Sequence, residues 1–237
     1  MTRRRWIADE VSGGYAALIG EHADHLIRVL RVRPGQQFDI VASGGVVYRG
    51  RVHKISDSRV EFELLGEIEV ATSAPLTLLL SIFKFDRMEW AIEKCTELGV
   101  AKIVPVIAQR TDVHLASASI KRVERWRRIA TQAAEQSRRA APLELAEPTR
   151  LSNMLEIPGA FRIVLVETET GSTLRSLVAS NSSKDVVLAV GPEGGWTPEE
   201  LDAFNDGWAF ASLGPTILRA ETAAIVAAAI AIAELSE

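Results

Sequence analysis

The chain has 237 residues, 47% of them apolar, enough for one large domain or two small ones, each with its own core. The apolar content argues against a disordered chain, and the single cysteine, Cys95, excludes a disulfide framework and a thiolate metal cluster. The net charge of −4 conceals an asymmetry. Residues 1–140 hold 22 of the 27 Lys and Arg against 17 of the 31 Asp and Glu, and the remainder is strongly acidic. A basic first part can hold a phosphate backbone although the total is acidic; solvated helix faces account for the same numbers.

The opening MTRRRWIADEV has basic residues with no apolar stretch behind them, unlike a secretory signal. Helix EHADHLIRVLRV then stops before Pro34 and Gly35. QFDIVAS, VVYRGRVHKI and RVEFELLGEI read as short strands between Gly and Ser turns. Residues 1–70 therefore suggest a small β-barrel, and ATSAP (Ala71–Pro75) a linker.

From Leu76 the texture changes. LTLLLSIF is a buried strand and DRMEWAIEKCTELG a helix ending at Gly99, with Cys95 packed on it as a small hydrophobe. KIVPVIA is a strand, and ASIKRVERWRRIATQAAEQSRR a long helix. FRIVLVE and DVVLAV are further strands. TPEELDAF starts a helix, with Thr197 as cap, Pro198 at the first position and Glu200 completing a capping box. WAFASL is a last strand. The closing Ala-rich helix is too short and too Ala-rich to span a membrane. Strands alternating with helices indicate a mostly parallel α/β sheet, and the protein is expected in the cytoplasm.

Ligands of open α/β sheets bind outside the carboxyl ends of strands. Three ends stand out: Glu167 after FRIVLV, the loop GPEGG after DVVLAV, and GPTILRAETA after WAFASL. Glycine follows the strand directly at Gly191 and Gly214, where it permits unusual backbone and close approach. Tight turns alone account for one such loop; two with Glu167 point to a cofactor pocket. GPEGG is neither a dinucleotide fingerprint nor a Walker loop. Residues 185–218 carry acids and no Lys or Arg, which suits a cationic or neutral cofactor such as S-adenosylmethionine.

GPEGG followed by LGPTILRAETAA closely resembles the C-terminal signature of the RsmE family, the 16S rRNA uridine-N3 methyltransferases of the SPOUT superfamily. The resemblance extends through FKFDRMEWAIEKCTELGVAKIVPVIAQRT, RWRRIATQAAEQSRRAAPLEL and HLIRVLRVRPGQQFDIV, nearly the whole chain. It implies a PUA-like β-barrel RNA-binding domain over about residues 1–70. It implies an α/β methyltransferase domain over 75–237, with a trefoil knot over about 165–225, and a homodimer. The closing helix is a candidate interface or an intrasubunit packing element.

By the same resemblance S-adenosylmethionine lies among Leu165, Val166, Glu167, Val190, Gly191, Pro192, Glu193, Gly194, Gly195, Leu213, Gly214, Ile217, Leu218, Arg219, Thr222 and Ala223. Two departures stand in the loops: Trp196 where a smaller apolar residue or Phe is usual, and Thr216 where the family has Arg.

Uridine N3 must lose its imide proton to be methylated. Glu193 is a candidate base or cofactor anchor, and Arg219 a candidate to stabilise the anion or hold an RNA phosphate, unless it pairs with Glu221 or Glu193. For RNA contact the candidates are Arg3, Arg4 and Arg5 beside Trp6, Lys84 and Arg87 after a strand, and Gln136 with Arg139, three apart and so on one helix face. His22 and His25 have metal-pair spacing but no third ligand, and no metal is expected. The reading is methylation of a uridine in 16S rRNA, within the assembled 30S subunit. Its rivals are a related methyltransferase of tRNA or large-subunit rRNA, a non-catalytic RNA-binding factor, and a nucleotide-binding enzyme using GPEGG as an anion nest.

Overall fold

The computed structural model describes residues 4–70, 74–157, 160–183 and 185–235. Arg3 and most of the expected linker, Ala71–Ser73, lie outside the described residues. The chain divides into two compact units, 1–72 with 131–142 and 73–130 with 143–237.

The first unit is a six-stranded curled sheet, a half-barrel. It comprises β1 (Arg5–Ile7), β2 (Glu10–Ser12), β3 (Tyr15–Ile19), β4 (Gln37–Val41), β5 (Val47–Ser56) and β6 (Arg59–Ile68), in the order β1-β4-β5-β6-β3-β2. Only the β1–β4 pair is parallel. The expected helix 21–32 is shorter, α1 (Glu21–Asp24), and continues as a wide turn over His25–Val29 in which the Leu30 amide reaches the His25 carbonyl. Trp6, Leu18, Leu26, Ile40, Val60 and Phe62 form its core. Alternation explains the half-buried strands: on β5, Gly50 and Val52 are buried between exposed Arg49, Arg51 and His53, and a register shift at Arg49/Gly50 sets the three-residue step from buried Val47.

The second unit is a seven-stranded, wholly parallel sheet. Its strands are β7 (Ala74–Ser81), β8 (Val100–Ile107), β9 (Glu144–Leu145), β10 (Thr149–Arg150), β11 (Phe161–Leu165), β12 (Val186–Val190) and β13 (Ala209–Ala211). The order is β10-β8-β7-β12-β11-β13, with β9 also on β8. Parallel sheets are covered on both faces, so their strands are continuous apolar runs; every residue of β12 is buried. Leu188 and Val190 join one core with α2 (Phe85–Leu98), α5 (Leu174–Ala179) and α7 (Ala220–Leu235). Val187 and Ala189 join another with Trp196, Phe204 and Trp208 around α6 (Pro198–Phe204). The helix expected over 118–139 is instead α3 (Val113–Ser119), a single tight turn, and α4 (Val123–Gln136). Ser119 Oγ donates to the Ala116 carbonyl at 2.7 Å, a local bond that competes with helix continuation. No helix of the described residues is long and apolar enough to cross a membrane.

Candidate functional site

At the carboxyl ends of β7, β11, β12 and β13 the second unit holds a cavity of about 610 Å³, within the range of small-molecule sites. Leu165–Thr168 line it from β11, Val190–Trp196 from β12, and Ala211, Leu213, Gly214 and Thr216–Ala220 from β13 and its loop, with Ala223 on α7. Of the sixteen residues assigned to the cofactor by resemblance, all line this space except Thr222.

The loop after β12 is fixed from three sides. Thr197 caps α6 and forms the anticipated capping box with Glu200. The buried Glu200 carboxylate accepts from the Thr197 amide at 3.0 Å and from the Gln109 amide, beyond β8, at 2.7 Å. Arg110 Nη1 donates to the Gly194 carbonyl at 2.6 Å and to that of Trp196 at 3.2 Å. Trp196 Nε1 donates to the Leu165 carbonyl at 3.1 Å, joining the ends of β11 and β12. The Trp196 ring also lies on Gly191: a Cβ there would come within 3.1 Å of Cε2 and 3.2 Å of Nε1. The close approach at Gly191 is therefore made by the protein's own indole. Gly195 has φ +70° and closes a turn onto the Pro192 carbonyl at 2.8 Å, a conformation that disfavours a side chain.

The acid excess of residues 185–218 does not carry over to the folded cavity. Lys84, Arg87, Arg110 and Arg219 all line the cavity, facing Glu167 and Glu193. Lys84, Arg87 and Arg110 come from strand ends remote in sequence, and Arg219 lies one residue past that stretch, so the acidity of residues 185–218 says nothing about the cofactor. Arg87 Nη1 meets Glu193 Oε1 at 2.7 Å, and its Nε lies 3.6 Å from Glu221 Oε1. Glu221 is buried in the first turn of α7, and its Oε2 has no hydrogen-bond partner among the described residues. Arg219 is exposed, and it pairs with neither Glu221 nor Glu193. Lys84 and Arg87 thus stand with the catalytic candidates.

The other RNA candidates lie elsewhere. Arg4 pairs with the fully buried Glu135 and stacks on Trp6 at 4.7 Å. Arg5 donates to the Arg138 carbonyl and lies 3.9 Å from Asp39. Burial, then the neighbouring Arg138 charge, hold its guanidinium below the usual arginine range. Trp6 is buried against His22 and His25, so it offers no stacking face, and it lies on the strand Arg5–Ile7. Gln136 and Arg139 do not share a helix face. α4 ends at Gln136, and Arg138 turns the chain with φ +62°. Arg139 is half-buried, which lowers its pKa. Among the described residues no three His, Cys, Asp or Glu side chains gather as metal ligands.

Arg110 is a site residue that sequence reasoning missed, and Trp196, noted in the sequence only as a departure, was not assigned to the site. The signal for Arg110 was available: AQRT follows β8 just as the flagged loops follow theirs.

Residues 71–232 match the RNA methyltransferase domain family, and residues 18–65 the RNA methyltransferase PUA domain. Ribosomal RNA small subunit methyltransferase E of Synechocystis sp. is 35% identical, over 86% of this chain and 68% of its own. That of Mycobacterium tuberculosis is 34% identical, over 91% and 85%. The chain belongs to the ribosomal RNA small subunit methyltransferase E family. Among solved structures, the family member from Neisseria gonorrhoeae bound to S-adenosyl methionine is 30% identical, covers 95% of each chain and superposes with a TM-score of 0.83. A putative methyltransferase from Legionella pneumophila in complex with the cofactor SAM is 30% identical over 98% of each chain, with a TM-score of 0.85. The family membership thus rests on both units, and the half-barrel is its PUA domain.

Proposed function

We propose that this chain transfers the methyl group of S-adenosylmethionine to N3 of a uridine in 16S rRNA. The observation that carries this reading is the cavity, built from the three strand-end loops that hold the family signature. The residues present fit the cofactor. Backbone of the loops around Gly191–Gly195 and Leu213–Leu218 offers donors and acceptors; Leu165, Val166, Trp196 and Leu201 offer apolar surface; Glu167 and Glu193 offer negative charge for a sulfonium. When bound, the cofactor supplies an electrophilic methyl group.

The protein's own part is alignment and charge. Arg219, exposed at the cavity and unpaired among the described residues, stabilises the anion left on the uracil as N3 loses its proton. Glu193 accepts that proton or anchors the cofactor, and Arg87 holds its carboxylate in place. Lys84 and Arg87 meet RNA phosphate. Holding the methyl group in line with N3 supplies much of the rate, and the target base must be splayed from its RNA structure to enter. The same reading has a PUA-like RNA-binding domain at about 1–70, a methyltransferase domain at 75–237 with its chain knotted over about 165–225, a homodimer, a cytoplasmic location, and 16S rRNA in the assembled 30S subunit as substrate.

The test incubates the purified chain with methyl-labelled S-adenosylmethionine and 30S subunits that lack the modification, then identifies the labelled nucleoside by mass spectrometry. N3-methyluridine in 16S rRNA is the expected product. No label with cofactor binding intact moves the substrate to another RNA; no label and no cofactor binding overturns the reading.

A further inference from the structure

Three charged residues of the first unit stand in one row across its sheet. Arg5 on β1 is opposite Asp39 on β4, and Asp39 is opposite Arg49 on β5. The next position, on β6, is Gly66, which places no side chain beside Arg49. A fourth residue joins the row from the 131–142 segment of the same unit. Arg138 Nη2 lies 3.1 Å from Asp39 Oδ2, Arg49 Nη1 lies 3.0 Å from Oδ1, and Arg5 Nε lies 3.9 Å from Oδ2. One carboxylate therefore faces three guanidinium groups. The nearby acids are engaged: Glu135 with Arg4, Glu63 with Arg51, and Glu67 with Tyr48.

The exposures order this cluster. The Asp39 and Arg5 side chains are 10% and 12% exposed, those of Arg49 and Arg138 46% and 51%. A guanidinium has five N–H donors in a planar fork. Arg49 and Arg138 each direct one nitrogen to Asp39, which fixes the fork and leaves the other donors for a second acceptor. Arg5 Nε is buried with no hydrogen-bond partner among the described residues, so positive charge is also under-compensated behind them.

The backbone adds an independent observation. Arg138 sits at φ +62° where α4 ends. The Arg139 amide reaches the Ala134 carbonyl at 2.9 Å and the Arg138 amide reaches that of Glu135 at 3.3 Å. This helix-ending pattern favours glycine at the Arg138 position. Placing a long cationic side chain there has a conformational cost, and what it gains is a second exposed fork over Asp39.

We propose that Arg49 and Arg138, oriented by Asp39 and backed by Arg5, form a seat for one phosphate of an RNA backbone. Paired, pre-oriented arginine forks suit the geometry of a phosphate better than that of a point anion. The choice of RNA over a free phosphate rests on the reading of the chain as an rRNA methyltransferase.

The test measures affinity of the full chain for unmodified 16S rRNA transcript between 50 and 200 mM salt, in wild type and in Arg49→Gln/Arg138→Gly. Glycine relieves the backbone at position 138, so the Arg138→Gly single variant should keep or raise its thermal midpoint. The double variant should bind the transcript roughly tenfold more weakly, and its slope of log affinity against log salt should fall by about one, as loss of one phosphate contact requires. Its S-adenosylmethionine affinity should be unchanged. Unchanged RNA affinity and slope overturn the seat. Loss of inorganic phosphate binding with RNA binding unchanged assigns the site to a free anion and also overturns it. A wild type that methylates no RNA, but whose salt slope the variants still reduce, keeps the seat and removes the methyl-transfer reading alone.

Discussion

Single residues at the cavity divide into those that hold the loop and those left free to act. Arg219 is exposed and has no carboxylate partner among the described residues, so removing it should cost chemistry without costing the fold. Arg219→Ala should lower the methyl-transfer rate by about 10²–10³-fold, the range for losing one preorganised charge donor. Its thermal midpoint should stay at the wild-type value, and Arg219→Lys should restore part of the rate. A midpoint that falls with the activity would make Arg219 structural. Gly191 is the opposite case. A methyl group added there meets the Trp196 ring at 3.1 Å, and the ring cannot retreat without losing its bond to Leu165. Gly191→Ala should destabilise by about 1–3 kcal/mol, the usual overpacking penalty. Combining it with Trp196→Leu should recover most of that loss, a coupling that a double-mutant cycle in urea measures. Additive losses would disprove the contact. The glycine was legible in the sequence; its cause was not, because a pair five residues apart in a loop has no periodicity to betray it.

Elements repeat the lesson with clearer physics. Long apolar strands and capped helices carry their own signals. LTLLLSIF, KIVPVIA, FRIVLVE and DVVLAV coincide with β7, β8, β11 and β12, and TPEELDAF contains α6 with the capping box that its residues announce. β1, β2, β9 and β10, of two or three residues, have no pattern long enough to read and are set by tertiary pairing; β13, equally short, was legible because it lies within the longer apolar run WAFASL. The break between α3 and α4 escaped for the same reason. Helix α2 supplies a pH test. Cys95 is buried against α7, its Sγ 3.9 Å from the Ala224 carbonyl. Burial pushes its thiol up to about 12, because the thiolate loses solvation. An unfolded thiol titrates near 8.5. The folded state therefore favours the proton, and this contribution is full below about pH 8.5 and declines as pH rises toward 12. Relative to Cys95→Ala, the wild type should lose about 2 kcal/mol between pH 8 and 10, at about 1.4 kcal/mol per pH unit above the unfolded value. Urea midpoints of the two proteins across that range check it. A constant difference would mean that the thiol is hydrated in the native state.

At the scale of the molecule, the cavity is the feature that sequence order conceals most. Its glycine loops fall within one stretch, but Lys84, Arg87 and Arg110 arrive from the ends of β7 and β8, some eighty to a hundred and thirty residues earlier. That return is a property of parallel topology, in which every strand ends on the same side of the sheet. The association of residues 131–142 with 1–72 is equally invisible to a linear reading. A ligand that touches strand ends so far apart in sequence binds only when the second unit is folded, so its affinity must appear as stability of that unit. At a hundred times its dissociation constant, S-adenosylmethionine should add about 2.7 kcal/mol, which for a domain of this size raises the thermal midpoint by about 5–10 °C. Gly195→Val places a β-branched residue at φ +70° in the loop that lines the cavity. That variant should unfold at a somewhat lower temperature without ligand and show no shift with it. Calorimetry with and without ligand separates the two effects. A Gly195→Val protein that keeps the full shift would remove the loop after β12 from the binding site, leaving the loop after β13 to carry the cofactor.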